Sequence, residues 1–134
     1  MSSLKLVIYE KYEYSVMSEA DSVEKQEIVE YKDCEIKTVK TKEKEEDWET
    51  FIVKRKETLL EIVPRRAGAY VIVKNYHYWY DPYVGDYEVE LGYSCVNSIC
   101  EYIVFWFDGA RWYERHFSRL EEAKRFAEAM CAEL

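Results

Sequence analysis

Ser94, Glu101 and His116 are the residues of this sequence whose types best match a nucleophilic or acid–base site. If tight turns join the strands that carry them, Glu101 lies opposite both of the other residues. A nucleophilic triad needs the imidazole between nucleophile and carboxylate, whereas here the carboxylate lies in the middle. What remains is a Glu101–His116 pair, in which the carboxylate raises the histidine pKa and makes it a candidate general base. No phosphate-binding loop or nucleophile elbow accompanies this pair, so an enzyme is an alternative function and no catalytic residue is assigned.

The cysteines suggest a disulfide and do not suggest a metal site. Cys95 and Cys100 face each other across a predicted turn, where the Cα atoms of an antiparallel pair lie about 4.5 Å apart. Disulfides span about 4.4 to 6.8 Å between Cα atoms, so the pair is a disulfide candidate; two reduced, buried thiols are the alternative. Nothing in the sequence gives the distance between Cys34 and Cys131. The four cysteines and two histidines lack zinc-ligand spacing, and we predict no metal and no cofactor.

Aromatic and acidic side chains share one predicted face of the C-terminal strands. We name this the aromatic–acidic face and define it by His77, Trp79, Glu88, Glu90, Phe105, Phe107, Trp112 and His116. An exposed apolar patch rimmed by charge is typical of a protein contact site. The face therefore predicts a homodimer or a protein partner. The alternative is that strands from the N-terminal half cover the face and make it part of the core.

Basic residues offer a second candidate surface, formed by Lys54, Arg55, Lys56, Arg65 and Arg66. This basic patch is where nucleic acid would bind if the protein binds any. The formal net charge of −8 disfavours that function, because phosphates are attracted by basic surfaces. Nucleic-acid binding therefore stays an alternative to the protein contact.

The elements that must position these residues are best defined near the C-terminus. Ser118 and Glu121 have capping-box spacing, and the apolar residues that follow recur at helical intervals, which predicts a helix over about 119–132. Residues 47–63 are compatible with a second helix, with Asp47 as its cap and Pro64 at its end, and also with two strands. Between them, alternating aromatic and β-branched residues predict an antiparallel, Tyr/Trp-rich sheet. The fold class is α+β.

Two turns set the predicted strand register. Asp108-Gly109 is a strong signal for a two-residue hairpin loop, which would put Phe107 opposite Ala110. Asn97-Ser98 is a weaker one and would pair a strand over 87–95 with the strand that follows.

Length and composition predict a single globular domain over residues 1–134, because the chain has 134 residues, 49% of them hydrophobic and 34% charged. No apolar run approaches the roughly 18 residues of a membrane span, and no secretory signal is present. The three side-chain amides are Gln26, Asn75 and Asn97, while Glu and Lys abound. That bias is typical of hyperthermophiles. We therefore expect a non-enzymatic accessory protein of a thermophilic archaeon or its virus, in the cytoplasm, or the host cytoplasm if viral.

Overall fold

A computed structural model describes residues 2–15, 20–48, 51–79 and 98–133 of the chain. Its strands form one antiparallel sheet of seven, in the order β3-β4-β1-β2-β5-β6-β7, and one helix follows the last strand. The elements are β1 Leu4–Ser15, β2 Ala20–Lys32, β3 Cys34–Asp47, β4 Phe51–Pro64, β5 Tyr70–Trp79, β6 Ser98–Phe107, β7 Trp112–Phe117 and α1 Leu120–Glu133. The α+β class, the antiparallel sheet and the C-terminal helix are thereby confirmed.

The second helix that residues 47–63 allowed does not form, because Asp47 ends strand β3 and residues 51–63 lie in strand β4. β4 is hydrogen-bonded to β3 along one edge and to β1 along the other, so it lies inside the sheet. Its β-branched residues, among them Ile52, Val53 and Thr58, suit such a strand. The helical spacing of the apolar residues was the reason to consider a helix here. Hydrogen bonding to a strand on each side outweighs it.

Of the predicted C-terminal meander, the hairpin of β6 and β7 is present with a shifted register, and the predicted strand over 87–95 lies outside the described residues. Ser98 belongs to β6 and pairs with Tyr78 of β5, so it is not a turn residue. From Tyr102 to Trp106, β6 has β5 on one edge and β7 on the other, and both places are taken. This part of β6 therefore has no free edge for the predicted ladder with 87–95, a segment that lies outside the described residues.

The loop between β6 and β7 has four residues instead of two, and Phe107 pairs with Trp112. The Asp108 carboxylate closes the loop, since its Oδ1 accepts the backbone N–H groups of Ala110 (2.7 Å) and Arg111 (2.9 Å). Gly109 has a φ of 107°, which favours glycine. The register shifts by two residues, and a shift of two leaves every side chain on its predicted face.

The first of two cores lies between the sheet and α1. The helix buries Ala123, Ala127 and Cys131 against Tyr70, Ile72 and Val104 of β5 and β6. Small residues on the helix allow a close approach to the chain below it. At Gly68 (φ 93°) a Cβ atom would lie 3.1 Å from the Cα atom of Cys131. This site requires glycine both for its backbone conformation and for its contact with the helix.

The second core lies on the opposite face of β5 and β6. β1 pairs with β4 along its whole length but with β2 only from Glu10 to Tyr14, so the two halves of the sheet separate beyond that point. The first half folds across the second, and the Trp112 Nε1–H donates a hydrogen bond to the Ser2 carbonyl (3.1 Å). The buried members of this core are Cys34, Ile62, Ala69, Val71, Val73 and Phe107.

Candidate functional site

Polar residues continue the sheet face that carries the second core. Directly opposite residues of an antiparallel pair lie on one face, as do residues two apart along a strand. Glu24 pairs with His77, Asn75 with Glu101, and Ile103 with His116. By that rule all of these residues lie on one face of the sheet. We name as the acid–histidine face the set Glu24, His77, Glu101, Glu114 and His116. It contains both histidines of the chain.

His116 lies between two carboxylates on this face. Its Nδ1 is 2.5 Å from Glu101 Oε1, and its Nε2 is 3.5 Å from Glu114 Oε2. The hydrogen bond to Glu101 raises the pKa of His116 above its ordinary value, with both negative charges adding to the effect. The predicted Glu101–His116 pair therefore forms, as a diagonal contact, because the shifted register puts Ile103 opposite the histidine.

A second acid–histidine contact lies across the sheet at Glu24. His77 Nε2 is 3.5 Å from Glu24 Oε1, and the Tyr9 hydroxyl donates a hydrogen bond to Glu24 Oε2 (3.1 Å). Partial burial raises the pKa of Tyr9, and the hydrogen bond to the carboxylate raises it further. The phenol therefore stays a donor at neutral pH.

Between these two contacts is a shallow depression of about 250 Å³, whose lining includes Glu24, Gln26, Asn75, His77 and Glu101. Lys25 also lines it, and its Nζ lies 3.5 Å from Glu27 Oε2. The Oδ1 atom of Asn75 is buried, and it accepts no hydrogen bond within the described part of the chain. A buried acceptor without a donor costs free energy, about 1–3 kcal/mol, unless a ligand supplies the donor. The depression thus combines two carboxylates with an acceptor that lacks a donor.

These groups suit a cation that carries N–H donors. The ammonium group of lysine offers three donors and the guanidinium group of arginine five. A metal ion is less suitable, since no cluster of three or more His, Cys, Asp or Glu side chains within the described ranges could hold one. A general base would require a pocket beside His116. That side chain is 51% exposed, and the depression is lined by Glu101 without it. Ser94 lies outside the described residues.

The apolar half of the aromatic–acidic face is closed. Phe107 is only 2% exposed, and Phe105 and Trp112 pack against the same core. Of the two alternatives left open by the sequence, cover by N-terminal strands therefore holds for this half. His77 and His116 remain accessible in the other half. Trp79 is the last residue of β5, and Glu88 and Glu90 lie outside the described residues.

The five residues of the basic patch lie in two separate places. Lys54, Arg55 and Lys56 are in the middle of β4, whereas Arg65 and Arg66 follow its last residue, Pro64, which lies about 26 Å from Lys56 at the usual strand rise. Lys54 lies opposite Glu45 and Lys56 opposite Glu43. Each of these lysines therefore has an acidic neighbour.

Two of the three described cysteines lie in the cores, one in each. Cys34 lies in the second core and Cys131 under the helix, both as free thiols, so they do not bridge each other. Burial raises the pKa of Cys34 to about 11, which keeps its thiol protonated and unreactive. Cys95 lies outside the described residues, and its disulfide with Cys100 stays a prediction.

Sequence reasoning missed Tyr9, Glu24, Gln26 and Asn75 as members of the site. They come together because β2 pairs with β5, and nothing in the sequence near these residues indicates that pairing. The position of Asn75 two residues before His77 in an alternating strand was the one available signal, since it put both on one face.

Comparison with known proteins adds no relative: no family model matches the chain, and neither a curated protein nor a solved structure matches it. Within the described ranges, no helix is long and apolar enough to cross a membrane.

Proposed function

We propose that the chain is a non-enzymatic interaction module that binds a basic side chain of a protein partner on the acid–histidine face. The observation that carries the proposal is the Asn75 Oδ1 acceptor, buried without a donor between Glu24 and Glu101. A lysine or arginine side chain would supply both the positive charge and the missing donor. The closed apolar half supports the fold below the site.

The charge of the whole chain favours the same class of partner. A net charge of −8 attracts a basic protein and increases its rate of association, most strongly at low ionic strength. The five side chains of this face are acidic or are histidines close to acids. Lys25, which also lines the depression, is paired with Glu27.

Fluorescence anisotropy with a labelled decapeptide of alternating lysine and serine tests this site. Glu101→Gln and Asn75→Leu each remove one acceptor, and each should weaken binding about tenfold or more, because a hydrogen bond to a charged group contributes about 1.5–3 kcal/mol. Glu43→Gln removes one charge from β3 and is the matched control, expected to change the affinity less than twofold.

Two results would contradict the proposal. Equal losses in Glu43→Gln and Glu101→Gln would mean that the peptide responds to net charge and not to the site. Binding of free spermidine as tight as that of the peptide would indicate a small-amine site and no protein-binding role.

We further propose a heat-adapted source, archaeal or viral, a cytoplasmic location and a disulfide between Cys95 and Cys100. The scarcity of amides supports the first, and disulfides do persist in the cytosol of hyperthermophiles. Alkylation of the unfolded, unreduced protein followed by mass spectrometry tests the bridge. Two modified cysteines out of four are expected, and four would exclude it.

A further inference from the structure

The two edges of the sheet differ in how they are protected from pairing with other strands. β3 has an irregularity between Thr38 and Lys40, and its sequence includes Lys37, Lys42 and Lys44. Bulges and lysines on an edge are the usual means of preventing strand addition. β7 has neither: its ladder with β6 is regular, and its sequence WYERHF contains no lysine or proline. No described strand pairs with its outer edge.

We propose that a second copy of this chain pairs antiparallel with β7 about a twofold axis at Arg115, so that Glu114 of each copy lies opposite His116 of the other. This interface goes beyond the proposed function, since the depression that would take the basic side chain is lined by Glu24, Asn75 and Glu101, whereas the pairing uses Glu114 and His116 at the β7 end of the same face.

Charge favours an axis at Arg115 over one at Glu114. In an antiparallel pair, two opposite residues either both direct their backbone N–H and C=O groups toward the partner strand or both direct them away from it. For two identical strands this holds only when the twofold axis passes through a residue. An axis at Glu114 would put that carboxylate opposite itself, which destabilises the pair. An axis at Arg115 gives two Glu114–His116 pairs on one face and two Tyr113–Phe117 pairs on the other. The first are opposite charges once the histidine is protonated, and the second are aromatic pairs.

Arg115 would meet its own copy at this axis, and its contacts show how the repulsion is limited. The guanidinium group lies 5.0 Å from the ring centre of Phe126 and 5.4 Å from that of Phe117. Cation–π contacts of this kind draw each arginine toward its own helix and away from the axis.

Within the described residues, no strand covers this edge. α1 packs over β5 and β6 through Tyr70, Ile72 and Val104, and its Phe126 also contacts Phe117 on the helix side of β7, with 5.2 Å between ring centres. In the pair, the two helices would lie on the same side of a continuous sheet with both β7 strands between them. The interface is six residues long per copy, so we expect it to bury less than about 1,200 Å² and to be weak.

Cysteine cross-linking tests the axis. Arg115→Cys puts two thiols directly opposite, about 4.5–5.5 Å apart at Cα, within disulfide range. The matched control is Lys42→Cys on the exposed edge of β3. Under mild oxidation we expect Arg115→Cys to form covalent dimer at least about tenfold faster than the control, since pairing raises the local thiol concentration. The unchanged protein gives the background of the native cysteines.

The register has its own test. Glu114→Cys and His116→Cys should each cross-link slowly alone and rapidly as a mixture, because each faces the other across the axis. Cross-linking of Arg115→Cys no faster than the control would overturn the proposal. So would faster self-linking of Glu114→Cys than of Arg115→Cys, or light scattering that shows only monomer of the unchanged protein at millimolar concentration.

Discussion

At the residue scale, the contact between Glu101 and His116 joins two strands at a solvent-exposed place. The imidazole is held by Glu101 of β6 and Glu114 of its own strand, and the bond to Glu101 is the main cause of its raised pKa. Protonated His116 stabilises this part of the sheet. Because half of the side chain is exposed, solvent reduces the contribution.

We predict that His116 titrates above the ordinary histidine pKa of about 6.5 and that Glu101→Gln brings it back toward that value. A raised folded-state pKa means that the contribution to stability is full below the unfolded pKa and is lost as the pH rises through the folded pKa. Proton NMR of the imidazole measures the shift directly. A pKa unchanged by Glu101→Gln would show that the hydrogen bond is not its cause.

Gly68 allows a second test at this scale. Gly68→Ala should destabilise the protein more than Gly109→Ala. Both residues have positive φ and share the backbone cost of about 1–2 kcal/mol, but the Cβ atom at Gly68 also meets the helix backbone at 3.1 Å. At Gly109 the nearest atom lies at 3.5 Å, an ordinary contact. Urea unfolding of both variants gives the difference, and equal losses would show that the helix moves aside freely.

At the element scale, β6 and β7 each carry alternating residues for two environments. Phe107 faces the second core, while Trp106 of the same strand stacks on Tyr113 and meets Phe126 of the helix edge-on. The aromatic richness of these strands is thus divided between a closed core and the helix side. The polar side chains Glu101, Glu114 and His116 of the same two strands lie beyond the second core, on the acid–histidine face.

Phe107→Ala should cost about 3–5 kcal/mol of unfolding free energy, because it removes a large side chain that is 2% exposed and leaves a cavity. Tyr113→Ala on the neighbouring strand is the control, and it should cost less because that side chain is 41% exposed. Denaturant titration of both variants tests the assignment. Comparable losses would mean that the face of Phe107 is not the better buried one.

At the scale of the whole molecule, the second core depends on the folding of the first half of the sheet across the second. Cys34, Ile62 and Leu4 come from the first half of the chain and Phe107 and Trp112 from the last third, so neither half can complete the second core alone. The protein should therefore unfold in a single cooperative transition. If the source is heat-adapted as proposed, calorimetry should show a Tm above about 90 °C. A Tm in the mesophilic range of about 45–65 °C would count against that origin.

A structural feature could be predicted from the sequence when the residues that determine it lie close together along the chain. The helix after Ser118 and the loop at Asp108 depend on residues a few positions apart, and both were located, although the loop length was wrong by two. Face membership along β6 and β7 was also correct, because alternation depends only on neighbours. The pairing of β4 with β1 and β3 and that of β6 with β5 were not predicted, because these ladders join segments that are distant in the sequence.

By itself, the sequence determined the α+β class, the last helix, the alternation of each C-terminal strand and the acidic character of the surface. These are properties of local periodicity, turn chemistry and composition. The tertiary structure alone decided that 51–64 is a strand, that Phe107 lies in a core, and that Asn75 meets Glu24 and Glu101 in an open depression. The physical reason is that strand pairing is settled by burial summed over the whole sheet, and no short stretch of residues contains that sum.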